Sequence, residues 1–318
     1  MDNMSYFKLF TLSELKESKS DKTMYFVLSF SVYVLIIVLN VILIVTIMLE
    51  KTLHEPMYIF VCNQCINGLF GTTGFYPKFL SNVIHDSHVI TYTECLLQIF
   101  MIYTYVQCDC TTLTVMAYDR YVAICRPLDY HSIMTKNTLV KLLIFSWLFP
   151  SLSTLALILL TYRLSLCGSH IDKLYCDSWS IVRLSCEPTI INNIYGLVMI
   201  SIYMCFVVVI ICSYIKLVGA SIKSTDSKKK FMHTCLPHLV TMINFACALF
   251  FDILNNRFQS QDIPRSVRNF LALEFLIIPP IFNPFVYGLK LTELRKRVLR
   301  MFIKVKVGDP HYSLNMAK

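Results

Sequence analysis

Charge is what this sequence has least of. Only 15% of its 318 residues are charged, where a soluble domain carries about 25%. That excludes a water-soluble globule of this size, because too little polar side chain is available to cover its surface. Intrinsic disorder is excluded as well. A disordered chain is poor in aromatics and rich in charge, whereas here aromatics reach 13% and apolar residues 56%. Other absences narrow the field. There is no tandem repeat and no low-complexity tract. The apolar stretches do not alternate with period two, which removes a membrane β-barrel. The first 24 residues are polar and mixed in charge, without the apolar core and cleavage site of a secretory signal. The first apolar stretch is therefore expected to act as an uncleaved anchor. No metal-ligand spacing stands out: Cys62 and Cys65 form a C-x-x-C pair, but in an apolar stretch and without a second ligand pair. No membrane-embedded catalytic pair is found, so the chain is not expected to be an enzyme.

What is present is long apolar sequence. A bilayer core about 30 Å thick takes roughly 20 apolar residues of helix. Seven stretches satisfy this: Tyr25 to Leu49, Met57 to Leu80, Leu96 to Val122, Leu139 to Thr161, Ile191 to Leu217, Phe231 to Leu254 and Val267 to Leu289. Their connectors are too short for a soluble domain. Prolines at 77, 150, 237, 279, 280 and 284 fall inside them, which membrane helices tolerate because neighbours re-satisfy the freed carbonyls. The expected architecture is an all-α membrane protein, a seven-transmembrane helix bundle. Residues 1–24 precede it, 25–289 form it, and 290–318 follow as a short amphipathic helix and tail.

The net charge of +9 does not point to nucleic acid in a chain of mean hydropathy +0.59. It points to orientation. The connectors after the first, third and fifth stretches and the tail together sum to about +11, with clusters at Lys228–Lys230 and Arg295–Arg297. The N-terminus and the segment after the fourth stretch balance to about zero. Short basic connectors stay in the cytoplasm, so the N-terminus is expected outside and the C-terminus inside a plasma membrane. The sequon at Asn3 is a candidate glycosylation site on that outer side. Two acids, Asp109 and Glu274, lie within the apolar stretches, where a carboxylate needs a partner, a cation or a proton.

Of thirteen cysteines, most lie in or beside the apolar stretches and read as small apolar residues. Cys95, Cys167, Cys176 and Cys186 face the oxidising side. Four cysteines allow three pairings, and spacing alone does not choose among them.

Several strings stand at the stretch ends. The third ends in MAYDRYVAICRPLDY (Met116 to Tyr130), and the seventh in PPIFNPFVYGLK (Pro279 to Lys290). The second begins PMYIF (Pro56 to Phe60). The sixth opens with Lys230-Phe231, Thr234-Cys235 and His238-Leu239, and the fifth closes on Ser213-Tyr214. Together they make the chain similar to a rhodopsin-like G-protein-coupled receptor, specifically an odorant receptor, over nearly its whole length.

The resemblance implies roles for matching positions. It pairs Cys95 with Cys176, leaving Cys167 with Cys186, so that a long loop is pinned over the bundle. Arg120 is the implied activation switch, held by Asp119 at rest and released toward Tyr214 and a G protein on activation. Asn283, Pro284 and Tyr287 form a second implied switch, and His238 a third. An acid at the Asp109 position is usual in the family. The aspartate that most rhodopsin-like receptors carry in span two is replaced by Gly68, so a sodium ion near Asp109 would need Asn40 and Asn283. Apart from such an ion, no cofactor is expected. Span six departs from the family too, with Ala246 where a tyrosine is usual, a pattern that resembles a divergent, fish-type branch. The implied ligand set is Ile102, Tyr103, Val106 and Gln107 from span three; Val198, Met199 and Ile202 from span five; Leu249, Phe250 and Ile253 from span six; and Leu273 and Ile277 from span seven. Such a lining is mostly apolar and suits a small organic odorant. No aspartate stands where amine neurotransmitters bind. The implied partners are an odorant, a heterotrimeric G protein of the stimulatory olfactory type that raises cyclic AMP, and membrane lipid under the basic helix. The alternative from the residues alone is a transporter or channel that uses Asp109 and Glu274 as ion sites, although transporters usually carry internal repeats.

Overall fold

The computed structural model describes residues 9–13, 19–221, 239–244, 246–247 and 265–307. Among them the chain is a bundle of long helices: α1 (Lys19–Leu49), α2 (Pro56–His85), α3 (Tyr92–Cys125), α5 (Lys136–Tyr162), α7 (Ile190–Ser221) and α8 (Arg265–Lys290). Short helices α4 (Tyr130–Ile133) and α6 (Ser178–Arg183) sit in connectors, and α9 (Thr292–Val307) follows the bundle. Residues 239–244 are also helical. Most of the expected sixth stretch, with Leu249, Phe250, Ile253 and His238, lies outside the described residues, as does Asn3.

Each of the six long helices overruns the apolar stretch that announced it, and in α3, α5 and α2 residues in polar sequence set the ends. Thr91 opens α3 with a capping box: its hydroxyl accepts from the Glu94 amide, and the Glu94 carboxylate accepts from the Thr91 amide. Thr135 caps α5 through the Thr138 amide. Helix α2 begins with Pro56 in its first turn and stops at Asp86, whose φ of 50° is left-handed.

Helices α1, α5 and α7 are long and apolar enough to cross a membrane on composition alone. Helices α2 and α3 are as long, at 30 and 34 residues, yet less apolar. The reason is their position. They lie at the centre and bury Asn63, Gln64, Asn67, Thr72, Asp109, Thr111 and Thr112 against one another, whereas α7 turns Met204, Val208, Ile211 and Ile215 outward. The tight fit of α2 on α3 requires glycine: a Cβ at Gly71 would lie 2.2 Å from the Tyr105 ring. Segment Leu273–Gly288 of α8 and segment Glu293–Arg300 of α9 meet at 92°. Leu291 and Leu294 tuck α9 back against the bundle, and Arg297 pairs with Glu50 at 3.1 Å.

One feature amends the all-helical expectation. Strand β1 (Leu9–Leu12) lies between β2 (Val89–Thr91) and β3 (His170–Ile171), antiparallel to the first and parallel to the second. Alternation puts Phe10 and Leu12 on one face. Both are buried with Ile90, Ile99, Ile171 and the Cys95–Cys176 bridge, so the small sheet closes one end of the bundle. Strands of two to four residues carry too weak a period to be read from sequence.

Candidate functional site

Three layers along α3 hold the candidate residues. At the sheet end, Cys95 is bonded to Cys176 and Cys167 to Cys186, with Cα separations of 5.4 and 5.2 Å. Gln98, not anticipated from sequence, clamps the bridge. Its oxygen accepts from the Cys176 amide at 2.8 Å, and its nitrogen donates to the Gly74 carbonyl at 3.0 Å. Tyr175 beside the bridge descends into an apolar cluster that contains Ile102, Tyr103, Val106, Leu273 and Ile277 together with Phe75 and Phe79 of α2. The structure thus brings Ile102, Tyr103 and Val106 of span three and Leu273 and Ile277 of span seven into one place, and adds α2 and the loop to it. Gln107 meets α5 and α7 instead, its side-chain oxygen accepting from the Ser153 and Tyr203 hydroxyls at 2.5 and 2.9 Å. Tyr105, in the same cluster, donates to the Phe275 carbonyl at 2.9 Å and so ties α3 to α8. Helix α7 offers Met199 and Ile202, which are half-buried. Val198 is a correction: at 50% exposure it stands on the outward face beside Leu197, since one residue's rotation of about 100° is enough to leave the interior.

The middle layer is polar. Asp109 is buried, and its Oδ1 accepts from Gln64 Nε2 at 2.7 Å and Asn67 Nδ2 at 2.8 Å. Asn63 donates to Thr112 at 3.0 Å and accepts from Trp147 at 2.6 Å. Buried oxygens of Asp109 (Oδ2), Gln64, Asn67 and Asn283 have no hydrogen-bond partner. Asn40, named as a further ligand for an ion near Asp109, donates its amide hydrogens to the carbonyls of Ile36 and Pro280, at 2.8 and 2.9 Å. It satisfies a carbonyl in the proline-rich part of α8, a structural duty that its place in an apolar stretch could not reveal. Glu274 is half-buried on α8, away from this layer's hydrogen bonds. The unpartnered oxygens are one carboxylate oxygen and three amide carbonyls, the donor chemistry of a small hard cation.

The third layer is the Asp119–Arg120 end. Arg120 donates from Nε and Nη2 to Asp119 Oδ2, the first at 2.8 Å. Tyr130 of α4 donates to the other oxygen, Oδ1, at 2.9 Å, so both carboxylate oxygens are engaged. Burial and the Asp119 charge hold the Tyr130 hydroxyl above its ordinary pKa, which keeps it a donor. Tyr130 stood at the edge of the quoted motif, and only the α4 turn shows its use. Tyr214 and Tyr287 are buried in the same apolar cluster as Met116 and Leu217. The Tyr287 hydroxyl pairs with Thr241 at 3.0 Å, which joins α8 to the described turn of span six. Asn283 and Pro284 are buried one turn away.

A model of the olfactory receptor family matches residues 29–305. Among curated proteins, human Olfactory receptor 52J3 is 36% identical over 277 residues, 86% of this chain and 89% of its own length. Human Olfactory receptor 5K1 is 32% identical over 302 residues, 93% and 96% of the two chains. Rat Olfactory receptor 1 is 29% identical over 309 residues, 96% and 98% of the two chains.

Proposed function

The chain belongs to the olfactory receptor family, and from that premise we propose that it is an odorant-gated activator of a heterotrimeric G protein, built as seven membrane-crossing helices. Residues 25–289 form the bundle, 1–24 lie outside the cell, and 290–318 lie on the cytoplasmic side. The basic connectors support this orientation. The basic, amphipathic α9 suits anionic lipid.

The observation that carries the reading is the pairing of two ends on one helix. Helix α3 bears a covalently pinned apolar cluster near Cys95 and a closed ion pair at Asp119–Arg120. An odorant in the apolar cluster changes the state of the other end only through a difference in affinity between two states. In the active state Arg120 leaves Asp119, Tyr287 leaves Thr241, and the freed cleft takes the C-terminus of a G-protein α subunit, raising cyclic AMP. The unpartnered oxygens around Asp109 and Asn283 would hold a sodium ion in the resting state. A bound ion would favour whichever state keeps those oxygens together.

The test is cyclic AMP in cells expressing the tagged chain, challenged with odorant mixtures. Wild type responds, and Arg120→Ala abolishes the response at unchanged surface level. A response that survives Arg120→Ala, or a transport current in place of a cyclic AMP signal, overturns the reading.

A further inference from the structure

The two bridges of the sheet end differ in access. Cys95 and Cys176 are both buried, at 0% exposure, whereas Cys167 and Cys186 both stand exposed at the surface. The outer bridge closes the neck of a loop. Residues 168–185, between its cysteines, carry β3, which pairs with β1, and α6. They also carry Tyr175, whose ring meets Phe75 and Phe275 of the apolar cluster at 6.2 and 6.3 Å. Backbone pairing accompanies the sulfurs at the neck. The Cys167 amide donates to the Leu184 carbonyl and the Cys186 amide to the Ser165 carbonyl, each at 2.8 Å, around an antiparallel bridge of Leu166 with Ser185. A two-stranded pairing this short is marginal in water on its own. On each closure, however, it returns the two Cα atoms to 5.2 Å, within the span that a disulfide takes.

We infer that Cys167–Cys186 is a reversible thiol-exchange site. Low-molecular-weight thiols of the glutathione class open it from outside the cell, and its state sets how firmly the loop over the apolar cluster is held. The inference rests on the orientation proposed above and not on any odorant. In the exchange, a thiolate attacks one sulfur of the bridge and the S–S bond breaks. The other cysteine leaves as a thiolate and takes up a proton. A second thiolate attacks the mixed disulfide, releases the first cysteine and joins the two small thiols as their own disulfide. Two electrons thus pass from the small thiols to the bridge. Exchange needs access to a sulfur, so the outer bridge opens and the sealed one does not. Cys176 stays tied to Cys95, and the Gln98 oxygen still accepts from its amide. Tyr175 therefore keeps one anchor and loses the second. Because the paired backbone brings the two cysteines back together, the oxidised form of the same thiol reverses the change.

The experiment uses the full chain on living cells, with glutathione as the thiol, an impermeant maleimide to cap freed cysteines, and mass spectrometry of the digested receptor. Cys167 and Cys186 are capped together while Cys95 and Cys176 remain bridged, and oxidised glutathione added before capping removes the label. In the purified receptor, glutathione speeds hydrogen exchange at the Cys167 and Cys186 amides and leaves the Cys176 amide slow. The double variant Cys167→Ser/Cys186→Ser matches reduced wild type and ignores glutathione. Where an odorant mixture evokes cyclic AMP, glutathione raises the half-maximal concentration about two- to tenfold in wild type, and not in the double variant. A bridge that stays closed in glutathione overturns the inference, as does capping of all four cysteines together. So does hydrogen exchange, or odorant potency, that full reduction leaves unchanged. Should the double variant fail to reach the surface, capping and hydrogen exchange of wild type decide alone. Silence to every odorant sinks the receptor reading and leaves this inference to those same two readouts.

Discussion

The sheet end and the Asp109 layer of α3 are built on opposite terms. At the sheet end nearly everything is tied: two disulfides, the Gln98 clamp on Cys176 and Gly74, backbone pairing of β1 to two loops, and a capping box at Thr91. Four turns along the same helix, buried oxygens of Asp109, Gln64, Asn67 and Asn283 stand without partners. A buried polar group normally finds a hydrogen bond, so the contrast separates a part that holds its shape from a part whose hydrogen bonding is incomplete. Ligands that complete the second part, an ion or a proton, have somewhere to act. At the first, the buried nitrogens without hydrogen bonds, Nε2 of His88 and Nζ of Lys173, each stand near a carboxylate instead, Asp86 at 3.7 Å and Asp177 at 3.4 Å.

Removing the covalent tie should have the largest effect. Cys95→Ala or Cys176→Ala unpins the loop that carries Tyr175 into the apolar cluster. Loss of a native disulfide costs about 2–5 kcal/mol, and surface delivery should fall severalfold in flow cytometry of tagged cells. The Cys167–Cys186 bridge closes a shorter loop, of sequence separation 19 rather than 81, so Cys167→Ala should cost less. Equal loss in the two cases would mean that the sheet end is not held mainly by the long tie.

The Asp109 layer should respond in a way that depends on which group replaces the acid. Asp109→Leu leaves the Gln64 amide without its acceptor and strands one hydrogen of Asn67, whose other keeps the Tyr105 carbonyl at 2.9 Å. At about 1–3 kcal/mol for a donor left unsatisfied, this should lower the melting temperature of the purified receptor. Asp109→Asn keeps an acceptor for those donors and adds hydrogens that can reach the unpartnered oxygens. Stability should then be retained or raised, and any dependence of melting temperature on sodium at constant ionic strength should disappear. If wild type shows no sodium dependence that Asp109→Asn removes, the oxygens serve no cation.

How much of this could be read in the sequence follows from the range of each signal. Apolar length is a local property, so the long helices were legible to within a few residues, and their overrun comes from caps such as Thr91 and Asp86 that lie in polar sequence. The family strings carried Cys95, Asp119, Arg120 and Tyr287 to named roles, because each sits in a dense motif. Partners across helices were not legible. Gln64 and Asn67 reach Asp109 across 45 and 42 positions, and Ser153 and Tyr203 reach Gln107 across 46 and 96. Nothing local marks those distances. Val198 went astray for the same reason: which way a side chain turns on an all-apolar helix is decided by its neighbours, and such a helix carries almost no period of its own.

The smallest effect sharpens the comparison from the tied side. Glu94 lies two residues before the apolar stretch of α3. Its carboxyl is held below its ordinary pKa, chiefly by the Thr91 amide, with burial opposing and Lys78 at 3.2 Å adding to the lowering. A lowered folded-state pKa means the stabilisation is complete above the ordinary glutamate value of about 4.3, and is lost as pH falls through the lowered value. Glu94→Gln keeps an oxygen for the Thr91 amide but removes the charge, so the cap survives while its pH dependence goes. Because Glu94 is largely exposed and its ion pair is screened, the charge contributes only about 0.2–1 kcal/mol. The melting temperature of wild type should therefore exceed that of Glu94→Gln slightly at neutral pH, and the two should converge in acid. A gap that stays constant from neutral pH into acid would assign the difference to packing rather than to the carboxylate, and would remove the charge from the ties that close this end.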